Sequence, residues 1–336
     1  MNKPTVVHAD PDMNPVGFRD INPAYRRVFT PGELTVGLVV PIESYPRRST
    51  PTMEQHGERV RLAESLGFSA VWLRDVPFNV PSFGDAGQIF DPFVYLGYLA
   101  SQTDNIALGV SSIILSLRHP VDVAKAAHSV DLLSGGRLLL GIASGDRPEE
   151  FPAYAQAFDH RRQKFRDAYD YLRDLAKDSP CIEGPLGTTS GGMDLLPKPY
   201  GSQLPLLVTG SSQQSPDWIA SNGDGWMTYP RPAALQQRLI NEYRSKSESA
   251  GAPLKPVMEP LYVDLAVNPN EPPSPIHLGM RLGSNHLLTY LRSRREIGVN
   301  HVALNLRFNQ RDAEETLRVL AEELLPHFPH EEWGGD

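Results

Sequence analysis

The residues of this chain whose types and spacing best suit chemistry are Thr209, Gly210, Ser211 and Ser212, followed by Gln213, Gln214, Ser215 and a proline. Hydroxyls donate hydrogen bonds, glycine admits close backbone approach, and the free amides at a helix start favour negative charge. Together they suit a phosphate. The same pattern suits a helix cap in which Ser212 or Ser215 satisfies orphan amides, and the stretch alone leaves both readings open. A phosphate also calls for a full positive charge. Arg161, near the start of the charged stretch 160–177, could supply it in forked geometry, or could be a solvated surface residue.

Smaller polar groups end other apolar runs. Ser111 and Ser112 follow 106–110, Ser144 and Gly145 follow 137–142, and Arg74 and Asp75 follow 70–73. Arg74 and Asp75 could bind a substrate or form a structural ion pair at a rim. The long loop after them carries Phe78, Phe83 and Phe90, which could admit a small organic substrate or pack locally under a lid. Other chemistries lack their residues. The ten histidines form no HExxH or His-x-His arrangement, and there is no nucleophile elbow, P-loop or dinucleotide fingerprint after a strand. No metal site is expected. With few catalytic side chains, a cofactor that carries the hard chemistry is the economical reading.

These groups need elements that bring them to one place. Within 105–146, two apolar runs flank a helix that His119 can cap, that Pro120 can open and that Gly135 and Gly136 can stop, which makes a parallel βαβ unit. Six further apolar runs, at 34–40, 70–73, 204–208, 225–229, 258–267 and 302–306, alternate with helical stretches. That count predicts a closed (β/α)8 TIM barrel, with an open doubly wound sheet as the alternative. In the barrel, the polar groups fall at the C-terminal strand ends, where such folds carry their sites. The helix after the first run is expected to open at Thr50 and Pro51. Segments 179–199 and 268–279, rich in turn residues, read as loop insertions. The division is then an N-terminal extension at 1–33, wrapping the fold, contacting another subunit or disordered, a barrel at 34–330 and a tail at 331–336.

Composition narrows the function. The 336 residues suffice for one large core, and 32 basic against 40 acidic side chains give a net charge of −8. No basic cluster exceeds Arg47-Arg48 or Arg161-Arg162, so a nucleic-acid surface is not expected. No run approaches the roughly 18 apolar residues of a membrane span, and residues 1–32 lack a secretory core, so the expected location is cytoplasmic. The single cysteine, Cys181, excludes an internal disulfide and fits a reducing compartment.

The order of motifs then points to a family. GVSSIIL at 109–115, RHP at 118–120, LSGGR at 133–137, GIASG at 141–145, VTGSS at 208–212 and GDGWM at 223–227 stand in sequence. From about Leu34 to Phe328 the chain resembles the bacterial luciferase-like flavin monooxygenases. The resemblance implies an FMN-dependent oxidoreductase, a monooxygenase using reduced flavin on a small organic substrate, with NAD(P)H as an indirect reductant through a separate flavin reductase. It implies a homodimer. The alternatives are hydride transfer with the deazaflavin F420, and a non-catalytic flavin-binding protein of the same fold.

By the same resemblance, Arg161, Ser211, Ser212 and Ser215 hold the flavin phosphate, and Thr209 and Gly210, from the strand-end pattern, are counted with them as cofactor-binding. Ser144, beside Gly145, stands where luciferase has another phosphate-binding arginine, which removes one charge from that grip. Ser111 and Ser112 match a small-residue pair whose non-prolyl cis peptide supports the flavin ring. One departure stands out: light-emitting members have a histidine after the second strand, where this chain has Val76. Light emission is therefore not expected, oxygen activation is left open, and Arg74, Asp75, Phe78 and Phe83 are the candidate substrate contacts.

Overall fold

The apolar runs pair edge to edge into a ring. In the computed structural model, which describes residues 17–328, the strands begin with β1 (Thr35–Val39), β2 (Ala70–Leu73), β3 (Ala107–Ile114) and β4 (Leu138–Ala143). A hairpin of β5 (Cys181–Gly184) and β6 (Gly187–Ser190) follows, then β7 (Leu206–Thr209), β8 (Gly225–Met227) and β9 (Val257–Leu265). The last are β10 (Ser274–Ile276), β11 (Gly279–Leu282) and β12 (His301–Asn305). The parallel order β9-β12-β1-β2-β3-β4-β7-β8, closed by a β8–β9 pairing, makes an eight-stranded barrel rather than an open sheet.

Nine helices are formed by the described residues: α1 (Pro23–Val28), α2 (His56–Ser65), α3 (Pro92–Ala100), α4 (Pro120–Leu133), α5 (Arg161–Leu175), α6 (Pro216–Asn222), α7 (Ala233–Ser249), α8 (Ser284–Glu296) and α9 (Ala313–Glu323). Their starts follow local chemistry. Asp91 accepts from the amides of Phe93 and Val94 to cap α3, and His119 caps α4 ahead of Pro120. The helix expected from Thr50 begins instead at His56, because the Glu43 carboxylate takes the amides of Thr52 (2.8 Å) and Met53 (3.1 Å) and holds this stretch as a non-helical turn.

Two insertions are more ordered than their composition suggests. Residues 179–199 contain the β5–β6 hairpin, and 268–279 returns as β10 and β11, with β11 adding in parallel to Tyr262–Leu265 of β9 above the ring. The third strand also runs further than its apolar run, passing through Ser111 and Ser112 with a register shift between Val110 and Ile113.

Segment 17–33, within the expected extension, seals the barrel floor. Asn22 caps α1 and donates to Asp131 and the Leu138 carbonyl, anchoring the helix to α4 and β4. Ile21, Ala24, Tyr25, Val28 and Phe29 then form one apolar cluster with the strand residues Val39, Ala70, Trp72, Ala107, Leu139, Leu207, Met258 and Ala303. The rest of the extension, 1–16, and the tail 331–336 lie outside the described residues.

A buried histidine enters this floor. His301 is fully buried; Trp72 Nε1 donates to its Nε2 at 2.8 Å, and Thr35 Oγ1, 2.7 Å from Nδ1, spends its own proton on the Val28 carbonyl. Because indole only donates, the ring carries its proton on Nδ1 and is neutral. Burial pushes the imidazole down from 6.5 to about 3. The unfolded chain therefore binds the extra proton first, so stability is full above pH 6.5 and falls as pH drops toward 3. Urea unfolding from pH 7 to pH 4 is expected to show a His301 contribution that steepens toward about 1.4 kcal/mol per pH unit. His301→Gln is expected to lose that part of the slope; identical slopes in the two proteins would contradict the assignment.

Candidate functional site

The C-terminal rim of the barrel divides into two halves. One is built on β3, β4, β7 and β8 and is lined with hydroxyls. The Ser111–Ser112 peptide is cis, inside the register shift of β3. Ser111 Oγ donates to the Leu73 carbonyl of β2 at 3.3 Å, and Ser112 Oγ shares a hydrogen bond with Thr209 Oγ1 of β7. Both hydroxyls rest on Met227 of β8, with Thr209 Oγ1 3.2 Å from its sulfur. Gly141 of β4 lies beneath. A Cβ there would stand 2.3 Å from the Val110 carbonyl oxygen and 2.6 Å from Met227 Sδ, so only glycine lets these three strands meet.

The turn after β7 is tight, with positive φ at Gly210, Ser212 and Gln213. Here the two readings of the serines separate. Ser212 Oγ donates to the Thr209 carbonyl at 2.7 Å, and Ser215 Oγ accepts from the Trp218 amide as the cap of the seven-residue α6. Those two hydroxyls hold the turn; Ser211 is exposed, and its Oγ accepts from the Gln213 amide at 3.3 Å. The first turns of α5 abut this loop through Gln214, which donates to the Arg162 carbonyl at 3.1 Å and accepts from Arg166 Nε at 2.6 Å. Arg161 stacks on Phe158, 3.6 Å from the ring centre, and donates through Nη1 to the Phe158 carbonyl; its Nε is buried without a partner. Ser144 is buried, its carbonyl taken by Ser116 Oγ, and Gly145 turns the chain against Ile114 and Phe151.

The other half, on β9, β12, β1 and β2, is charged. Arg74 and Asp75, neighbours in sequence, do not pair with each other. Arg74 meets Asp85 at 2.7 Å, whereas Asp75 takes Arg118 through both oxygens (2.7 and 2.9 Å) and the Ile114 amide at 3.1 Å. Arg118 also reaches Asp91 at 2.9 Å, so Asp75 ties β2, β3 and the entry to α4 and α3 together. Asp85 is a second hub: Arg307, after β12, meets it at 3.1 Å, Tyr45 at 3.3 Å, and the Gly87 amide at 2.8 Å. Burial by itself would push the Asp85 carboxyl up, but Arg74, the Gly87 amide and Arg307 outweigh it and hold the group below the usual carboxylate range.

Above this hub, Arg147 donates to the Asp85 carbonyl at 2.9 Å and lies over the Phe83 ring at 4.3 Å. Phe78 packs edge-on against Tyr154, and its amide makes a long contact with Glu150. Both rings are close to half exposed at the edge of the mouth, while Phe90 packs on His56 and Tyr95. Sequence reading missed Arg118, Arg147, Glu150, Arg166 and Arg307. Arg118 was within reach, since it opens the RHP motif; the others have no local signal.

Residues 34–271 match the sequence model of the luciferase-like monooxygenases. The chain belongs to that family. An uncharacterized protein of Mycobacterium tuberculosis is 28% identical over 226 residues, covering 60% of this chain and 79% of its own. Among solved structures, an F420-dependent secondary alcohol dehydrogenase in complex with an F420-acetone adduct superposes with a TM-score of 0.72 at 16% identity, over 87% of this chain and 98% of its own. The oxygenating constituent of 3,6-diketocamphane monooxygenase from Pseudomonas putida, in complex with FMN, gives a TM-score of 0.68 at 14% identity, over 88% and 99%. In this luciferase-like barrel, then, the neutral half faces a charged one across a single mouth.

Asp85 carries the charged half, and its removal leaves Arg74 and Arg307 without a carboxylate. Asp85→Ala is expected to cost about 3–5 kcal/mol in urea unfolding at pH 7, the range for breaking a buried pair from one side. A cost below about 1 kcal/mol, the surface-pair range, would mean that water already shares the cluster.

Proposed function

We propose that this chain is a luciferase-like oxidoreductase that holds reduced FMN in the neutral half of the mouth and acts as a monooxygenase on a small organic substrate. The observation that carries the reading is the cis Ser111–Ser112 peptide beside Thr209, small side chains resting on Met227 over Gly141, together with an Arg161 Nε at the start of α5 that is buried and lacks an acceptor. A flat ring system needs such a surface, and a phosphate supplies the missing acceptor. Ser111, Ser112 and Thr209 would support the ring, while Gly210, Ser211 and Arg161 would hold the phosphate, with Ser212 and Ser215 keeping the turn in shape and Ser144 and Gly145 closing the β4 side. The bound reduced flavin supplies the redox chemistry. The protein's own part is to orient the ring against β3, to keep water from its face with Phe78 and Phe83, and to place the substrate beside the charged half. Reduced FMN would come from a separate NAD(P)H-dependent reductase.

A second reading is favoured by Val76. With an apolar residue where light-emitting relatives carry histidine, the site equally suits hydride transfer with F420.

Titrating the apoprotein with FMN, F420 and riboflavin, followed by protein fluorescence, tests both. The expected result is micromolar FMN binding that weakens for riboflavin, which lacks the phosphate. Arg161→Ala is expected to weaken FMN by about 10- to 100-fold, the worth of one charge-assisted hydrogen bond, and to leave riboflavin unchanged. Selective F420 binding would move the protein to the second reading. Binding of neither, or equal losses for FMN and riboflavin, would overturn the flavin site as drawn.

A further inference from the structure

One cleft, of about 430 Å³, opens beside Tyr262 between the end of β8 and β11 and belongs to the mouth. Another, of about 740 Å³, lies at the opposite end of the barrel, where Asp224 and Lys255 lead into β8 and β9. Its walls are the second half of α5, the turn from α6 into β8, the turn 250–255 after α7, and Arg19 and Tyr25 of the segment that seals the floor. Its lining is polar and charged.

Two cations meet in this cleft without a carboxylate of their own. Phe18 bridges Leu254 in parallel, which sets Arg19 beside Lys255. Lys255 is 5% exposed, and among the described residues its ammonium donates to the Ala220 carbonyl and to nothing else. Ser247 Oγ takes the same carbonyl at 3.2 Å. Arg19, at the open edge, makes only a long contact with Gln203, at 3.4 Å. The nearby acid, Asp224, is already engaged: Arg173 meets it at 2.5 Å, Gln203 at 2.8 Å and the Leu206 amide at 2.9 Å. Burial, with Arg173 and Arg19 close by, outweighs Asp224 and pushes the Lys255 ammonium down to about 8. A lysine that merely caps the last turn of α6 would use one ammonium proton in this way, but a second cation set beside it works against such a cap.

We propose that Lys255 and Arg19 bind the oxyanion of a small hydroxylated metabolite, a phosphate or carboxylate group on a polyol body, at the floor of the barrel. A nearly buried ammonium and a guanidinium give such a group charge-assisted donors, and the anion in turn answers the buried charge. The rest of the cleft selects the body. α5 lines it with Asp170 and Asp174. Burial, with Asp174 and Asp167 nearby, pushes the Asp170 carboxyl up, and Lys177 pairs with Asp174 at 2.5 Å. These carboxyl groups accept from hydroxyls and repel a second anionic group, so a polyol with one charged end fits better than a polyanion. The volume is in the range of small-molecule sites. Because Arg19 belongs to the floor segment and Lys255 to the approach to β9, a bound anion ties the two together and stabilises the folded chain by mass action. The inference does not rest on the flavin reading.

Calorimetry on the full chain with D-glucose 6-phosphate, D-gluconate and uncharged D-glucose, at millimolar concentrations, tests it. At least one anion is expected to bind about tenfold or more tightly than glucose, the scale of a single paired charge, and the anion that does so identifies the group as phosphate or carboxylate. Lys255→Met and Arg19→Gln should each weaken that anion by about tenfold. Arg19 is exposed, so its variant keeps the test open if Lys255→Met fails to fold. Arg161→Ala and saturating FMN, which act at the mouth, should leave the anion bound as before. Binding of neither anion, binding no tighter than that of glucose, or a preference that survives the substitutions overturns the proposal. Loss of the anion in Arg161→Ala, or its displacement by FMN, would place it at the mouth and overturn the proposal too. If the chain binds neither FMN nor F420 but keeps the anion preference, the flavin reading fails and the floor site stands.

Discussion

The closure of the barrel at β8 and β9 is the constraint on which the rest depends. Only Trp226↔Val257 and Met227↔Met258 are in register across that seam. Through them the eight parallel strands end on one rim, so side chains far apart in sequence share one mouth. Met227 marks the connection: it completes the seam, lies under Ser112 and Thr209, and with Met258 opposite it belongs to the apolar cluster that α1 joins. β8 is short, and the strand above it is β11, added to β9 from an insertion. The cleft at this seam follows from that mismatch in length.

Two electrostatic environments share the rim. On the β3 to β8 side the hydroxyls of Ser112 and Thr209 satisfy each other and no ion pair is needed, which suits a broad, weakly polar ring. On the β9 to β2 side, Asp85 and Asp75 each gather a separate set of donors, and the two hubs are kept apart by the alternation of β2. The loop that carries Asp85 crosses the mouth, so one carboxylate binds the ends of β2 and β12 and receives Tyr45 from the turn after β1.

The barrel was legible in the sequence because its strands are uninterrupted apolar runs, as buried parallel strands must be. β2 and α7 fall where periodicity puts them. β3 was read as stopping at Val110 because two serines look like a strand end; only the fold shows the strand continuing through them. Arg74 and Asp75 illustrate a different limit. Adjacent residues at a strand end point to opposite sides, so the partners of each lie elsewhere, Asp85 eleven residues on and Arg118 forty-three residues from Asp75. Arg147, Glu150 and Arg307 carry no local pattern at all, because what joins them is the crossing loop. The serines of the β7 turn were legible as a pair of alternatives, and in the structure all three make bonds within the turn, with Ser211 the exposed one.

A crystal structure of the chain grown with FMN tests the central claim most directly. The account predicts the flavin ring against the Ser111–Ser112 peptide and Thr209, with its phosphate within hydrogen-bond distance of Ser211 and Arg161. A phosphate seated on Arg74 and Arg147, or a ring lying away from β3, would contradict it.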